Sequence, residues 1–151
     1  MHELAETVVA EEPAKGWITD NPSVDFTVWD HGRRRTIYLL NTDWKSRHDG
    51  QGSLPETHYG TQSANLVLGN YKFSLDVRRY HLETIHCAEG LAVLPSANTT
   101  DVLAIQPVDE GWRVSVQTTG ADTFRCMQQA NGKDSIVKVD KSGITELLIK
   151  K

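Results

Sequence analysis

The sequence predicts an all-β fold, an antiparallel β-sandwich of about nine or ten short strands, with a closed β-barrel as the alternative architecture. Three observations predict it. Apolar residues recur at period two through most of the 151 residues. Gly, Pro, Asn and Asp punctuate those runs at intervals of roughly 8–12 residues. After Asp20 no pattern of helical period is long enough to hold a helix.

Composition narrows the class further. A hydrophobic share of 38% suits a thin two-layer core with solvated strand surface better than a deeply buried parallel sheet. One domain is expected over residues 16–151, preceded by a linker or tail at 1–15, and a chain of this length buries roughly 70% of its unfolded surface. The formal net charge is −4, so there is no electrostatic footprint for nucleic acid or an anionic membrane surface. Arg33 to Arg35 and Arg78-Arg79 sit beside turns and are expected to be solvated. No run approaches the roughly 18 apolar residues of a membrane helix. The opening residues lack the basic and apolar regions of a secretory signal.

Residues 1–12 can form a short helix with Leu4 and Val8 on one face, ended by Pro13 and Gly16. Asp20 to Ser23 is a turn cluster. From Val24 the alternation places Val24, Phe26 and Val28 on one face and Asp25, Thr27 and Trp29 on the other. Asp30-His31-Gly32 breaks the run, and Arg33 restarts it as the second arm of a hairpin. In that arm Ile37 and Leu39 face one way and Tyr38 and Leu40 the other, which predicts a strand covered on both faces.

Residues 45–60 show no periodicity and form the one long irregular loop, a length usually reserved for function. Ser63 to Leu68, Gly69-Asn70 and Tyr71 to Val77 make a hairpin, because a two-residue Gly-Asn loop tolerates positive φ. Further strands are expected at Tyr80 to Cys87, Leu91 to Leu94, Val102 to Ile105, around Trp112 to Val116, at Phe124 and Cys126, at Ile136 to Val139, and at Ile144 to Ile149. Their breaks fall at Ala88-Glu89-Gly90, Pro95, Pro107, Asn131-Gly132 and Ser142-Gly143.

Candidate chemistry is sparse. There is no nucleophile elbow, phosphate-cradling Gly-rich loop, His-Glu-x-x-His helix or calcium loop. His81 and His86 are separated by an odd number along a strand and project from opposite faces, so with Glu83 and Glu89 they read as solvated or core-edge side chains rather than metal ligands. His48 and His58 lie in the long loop near Asp49 and Glu56, at a spacing with little metal specificity. Cys87 and Cys126 read as small buried apolar side chains, a mutual disulfide being the lesser reading. No catalytic residue, metal or cofactor is expected.

Exposed aromatics are the remaining signal, since a ring face can cover the apolar face of a pyranose. Trp44 and Tyr59 bracket the long loop and Trp29 occupies the polar face of its strand. Covering an end of the sandwich or docking against another domain is the favoured role for Trp44 and Trp29, with a ligand platform second. Asn41 and Asp43 form a structural corner whose side chains are expected to hydrogen-bond nearby backbone.

Gly16-Trp17-Ile18, Val24-x-Phe26, the stretch Arg35-x-Ile37-Tyr38-Leu39-Leu40-Asn41-Thr42-Asp43-Trp44, and Leu91-Ala92-Val93-Leu94-Pro95 together resemble the C-terminal β-sandwich domain of some bacterial glycoside hydrolases. The resemblance spans residues 16–106 and rests mainly on the Leu-Leu-Asn-Thr-Asp-Trp corner. It implies a noncatalytic accessory domain that packs against a catalytic domain, often a (β/α)-barrel. Met1 would then mark the start of an excised piece, and the parent enzyme would be secreted or periplasmic where it carries a signal. The implied partner is that catalytic domain, with polysaccharide as a second. Two other readings stand beside it: a carbohydrate-binding module using exposed Trp and Tyr, and a small metal-dependent barrel enzyme built on His48, His58 or His81.

Overall fold

The structure, a computed structural model of the chain, describes residues 18–21, 24–41, 61–68, 71–78, 82–97 and 99–151. Among them are twelve strands and no helix. These are β1 (Ile18–Thr19), β2 (Val24–Asp30), β3 (Arg35–Asn41), β4 (Gln62–Leu68), β5 (Tyr71–Val77), β6 (Leu82–Ala88), β7 (Leu91–Pro95), β8 (Asp101–Val108), β9 (Gly111–Thr118), β10 (Asp122–Gln128), β11 (Asp134–Val139) and β12 (Gly143–Lys150). They form three open sheets of order β1-β4-β5, β11-β10-β7-β6-β3-β2 and β12-β9-β8. None closes on itself, so the barrel alternative falls and the antiparallel sandwich stands.

The chain divides into two compact units: the described residues of Met1–Phe26 and Leu39–Leu82, and those of Thr27–Tyr38 and Glu83–Lys151. In the first unit β4 and β5 pair from Gln62↔Val77 to Leu68↔Tyr71, the register a two-residue connection demands. Strict alternation buries Ala64 and Leu66 on β4 and Phe73, Leu75 and Val77 on β5, and leaves Ser63, Asn65, Lys72, Ser74 and Asp76 outward. The outward row is tied together: Ser63 donates to Asp76 at 2.7 Å and Ser74 to Asn65 at 2.6 Å. Asp20 accepts from the Asn65 backbone and side-chain nitrogens, both at 2.7 Å, and the backbone bond above all holds its carboxyl below the usual range.

The second unit carries the sandwich. Its core joins Val102, Val114, Val116, Leu147 and Ile149 of the β12-β9-β8 sheet to Leu91, Val93, Phe124, Cys126 and Val139 of the facing sheet. Burying a side chain such as Phe124, 0% exposed, contributes about 2–3 kcal/mol. The β6–β7 hairpin turns on Glu89 and Gly90, at φ 49° and 80°, the two positive values that match a two-residue turn to strand twist. Asp109 and Glu110 link β8 to β9, since Val108 pairs with Gly111.

The structure corrects several expectations. β3 is not apolar on both faces in practice: Ile37 and Leu39 are buried, but Leu40 is 43% exposed, and the buried residue on that other face is Thr36. β8 does not stop before Pro107; it continues to Val108, because β8 is an edge strand and a missing N–H is tolerated there. β7 likewise includes Pro95, which pairs with Phe124 but lies beyond the last β6 partner pair, His86↔Val93. Arg34 is not merely solvated, since its guanidinium donates to the Val102 carbonyl oxygen.

Candidate functional site

Of the aromatic residues singled out, Trp29 is described, and Trp44 and Tyr59 lie outside the described residues, as do Asp43, His48, His58 and His81. Trp29 sits on β2, the edge strand of the six-stranded sheet, and its indole is 59% exposed. Beside it Arg35 and Asp30 form an exposed ion pair at 3.4 Å, and the Gly32 amide donates to Asp30 at 2.8 Å to fix the connecting turn. This is the polar-face position read from the alternation, with its ring free to cover an apolar surface.

Asn41 is the described member of the Asn41 and Asp43 corner. Its amide nitrogen reaches the Val77 carbonyl oxygen on β5 at 3.2 Å, in a buried position. That bond joins the end of β3 to backbone 36 positions away in sequence.

A second apolar surface was not legible as such. On β12 alternation turns Leu147 and Ile149 inward and leaves Ile144 and Leu148 68% and 50% exposed. Leu148 stands opposite Arg113 and Glu146 opposite Ser115 in the β9 register. Arg113 and Glu146 approach to 4.0 Å, so the outward row runs Ile144, Glu146, Leu148 and Lys150, apolar and charged side chains in turn.

The most unusual polar group is His86. It is 4% exposed on β6, facing the same side as Val93, Ala88 and Leu91. Its Nδ1 stands 3.3 Å from the Thr36 hydroxyl, and its Nε2 is buried with no hydrogen-bond partner among the described residues. Burial pushes the imidazole down from 6.5 to about 4; the Arg34 guanidinium and His31 push the same way, and Asp101 partly opposes them. The ring is therefore neutral at physiological pH and closed off from solvent. The sequence placed His86 on a strand and read it as a solvated or core-edge side chain, whereas the structure buries it. Its partners Thr36 and Arg34 could not be read, because they come from a segment 50 residues earlier.

Cys87 and Cys126 are both buried and free, and burial pushes each thiol up to about 12. Among the described residues no group of three or more His, Cys, Asp or Glu side chains could hold a metal ion. No family model matches the chain, and no curated protein or solved structure matches it.

Proposed function

We propose that the chain is a noncatalytic accessory β-sandwich domain of a carbohydrate-active enzyme, with the role of supporting that enzyme's catalytic domain. The observation that carries the reading is the outer row of β12, where Ile144 and Leu148 present large apolar side chains on a face that sequence alternation reserves for solvent. Such a row gains from being covered by a neighbouring surface. The Leu39-Leu40-Asn41-Thr42-Asp43-Trp44 stretch supports the glycoside hydrolase parentage, and the buried polar side chains described above are spent on joining strands.

The test has two arms. The native reading frame around this segment is expected to encode a glycoside hydrolase catalytic domain, and a frame encoding this chain alone overturns the proposal. Within the parent enzyme, the double change Ile144→Asp and Leu148→Asp is expected to lower the melting temperature of the catalytic domain while the isolated sandwich keeps its own.

Trp29 favours a second reading, a carbohydrate-binding module with the indole as part of the platform. Affinity electrophoresis over a broad polysaccharide panel separates the two. Retardation that disappears in Trp29→Ala supports the module; no retardation of the wild type by any glycan removes it.

A further inference from the structure

We propose that His86 is a buried proton sensor whose protonation releases residues 27–38 from β8, so that the second unit holds at neutral pH and opens in mild acid.

Three features of the second unit carry this. The neutral ring is accommodated with one nitrogen beside the Thr36 hydroxyl and the other unpartnered among the described residues. A protonated imidazole has two N–H donors, and the one at Nε2 finds no acceptor among the described residues. A buried cation with an unmet donor is a state the surrounding packing opposes.

The cationic place is also already taken. Arg34 is half-buried and fixes the segment before β3 to β8 through the Val102 carbonyl oxygen. The charged and titratable groups around His86 are Arg34 and His31 from the β2–β3 connection and Asp101 at the start of β8. β3 presents Thr36 and β7 presents Val93, neither of which carries charge. One exposed carboxylate faces a permanent cation, so a second cation at His86 repels Arg34 from its carbonyl.

The point of attachment is the weak part of β8. Val102 belongs to an edge strand, and the β8–β9 register shifts between Val102 and Ala104. A bulge leaves ladder bonds locally unmade, so loss of the Arg34 bond is felt there first.

The direction with pH follows from the depressed imidazole. Above the ordinary value of 6.5 the ring is neutral whether the chain is folded or not, and the stabilisation is complete. As pH falls from 6.5 towards 4 the unfolded ring takes up a proton that the folded ring refuses. The unfolding constant therefore rises by up to about tenfold per pH unit across that window.

The experiment uses the full chain. The His86 imidazole is followed by NMR, and urea unfolding is measured from pH 7.5 to 4.5 in wild type and His86→Gln. The expected result is a native ring that stays neutral to below pH 5 and a pH slope reduced by one proton in the variant. Amide exchange, corrected for intrinsic rates, is expected to accelerate first in residues 34–38 and 101–105. A native midpoint at or above 6.5, an unchanged slope in His86→Gln, or uniform acceleration over the second unit overturns the proposal. Should His86→Gln fail to fold, Arg34→Met is used: the His86 midpoint is expected to rise, and an unmoved midpoint overturns the proposal equally.

Discussion

The indole nitrogen of Trp112 donates to the Glu89 carbonyl oxygen at 2.8 Å, joining β9 of one sheet to the β6–β7 turn of the facing sheet. At the same end Gln128 donates from its side chain to the Lys150 carbonyl oxygen at 2.6 Å, so β10 and β12 are clamped as well. At this end the inter-sheet join is therefore partly polar, made of side chains bonding to backbone. Trp112→Phe keeps most of the apolar area and loses the bond, and is expected to cost about 1–2 kcal/mol in urea unfolding. Trp112→Ala also leaves a cavity and is expected to cost about 3–5 kcal/mol.

Gly111 is required by close approach. It begins β9 at φ 154°, and a Cβ there would stand 1.9 Å from the Ile149 carbonyl oxygen on β12. Gly111→Ala is expected to force β12 away from β9 and to abolish soluble expression or cost more than about 3 kcal/mol. Gly120→Ala is the control, since a Cβ there meets nothing within 4 Å, and it is expected to change stability by less than about 0.5 kcal/mol. Comparing their soluble yields and denaturation midpoints checks both.

Asn41→Ala removes the buried donor to the Val77 carbonyl oxygen and leaves that acceptor without this partner. A loss of about 1–3 kcal/mol is expected. Amide exchange is the sharper readout, because the loosening should concentrate in β5 of the first unit. Equal loosening at β12 would show that Asn41 acts through something other than this bond.

The two thiols make stability fall in alkali. Unfolded cysteines ionise near 9.0, while the folded thiols are held at about 12, by burial in both cases. Arg35 opposes the shift at Cys87 and Asp134 adds to it at Cys126. The unfolded chain thus releases protons that the folded chain keeps, and stability is lost as pH rises from 9 towards 12. Cys87→Ala with Cys126→Ala is expected to flatten the alkaline limb of the unfolding curve. A thiol reagent at pH 8 is expected to label neither residue until the chain unfolds.

Exposure of the Trp29 indole makes it a surface test of a different kind. Trp29→Ser is expected to shift stability by less than about 0.5 kcal/mol, as measured in urea. A larger loss would mean that the indole is part of the fold rather than a ring available to a partner.

Strand identity was largely a local matter, and the sequence by itself determined it. Alternation at Tyr71, Phe73, Leu75 and Val77, and turn chemistry at Glu89-Gly90 and Asn131-Gly132, fix the class and most hairpins, because period two and positive φ act over a few residues. Even where the apolar pattern misled, at Leu40, the strand was correctly identified and the error lay in what covers it. Tertiary structure alone decided the relations between distant segments. The Asn41 bond to Val77, the Trp112 bond to Glu89, the Thr36 contact with His86 and the Arg34 bond to Val102 join residues 23 to 68 positions apart. No local propensity encodes such meetings, since they exist only once the sheets have packed. For that reason a lone histidine on a strand became a dry, proton-refusing group only in the folded chain.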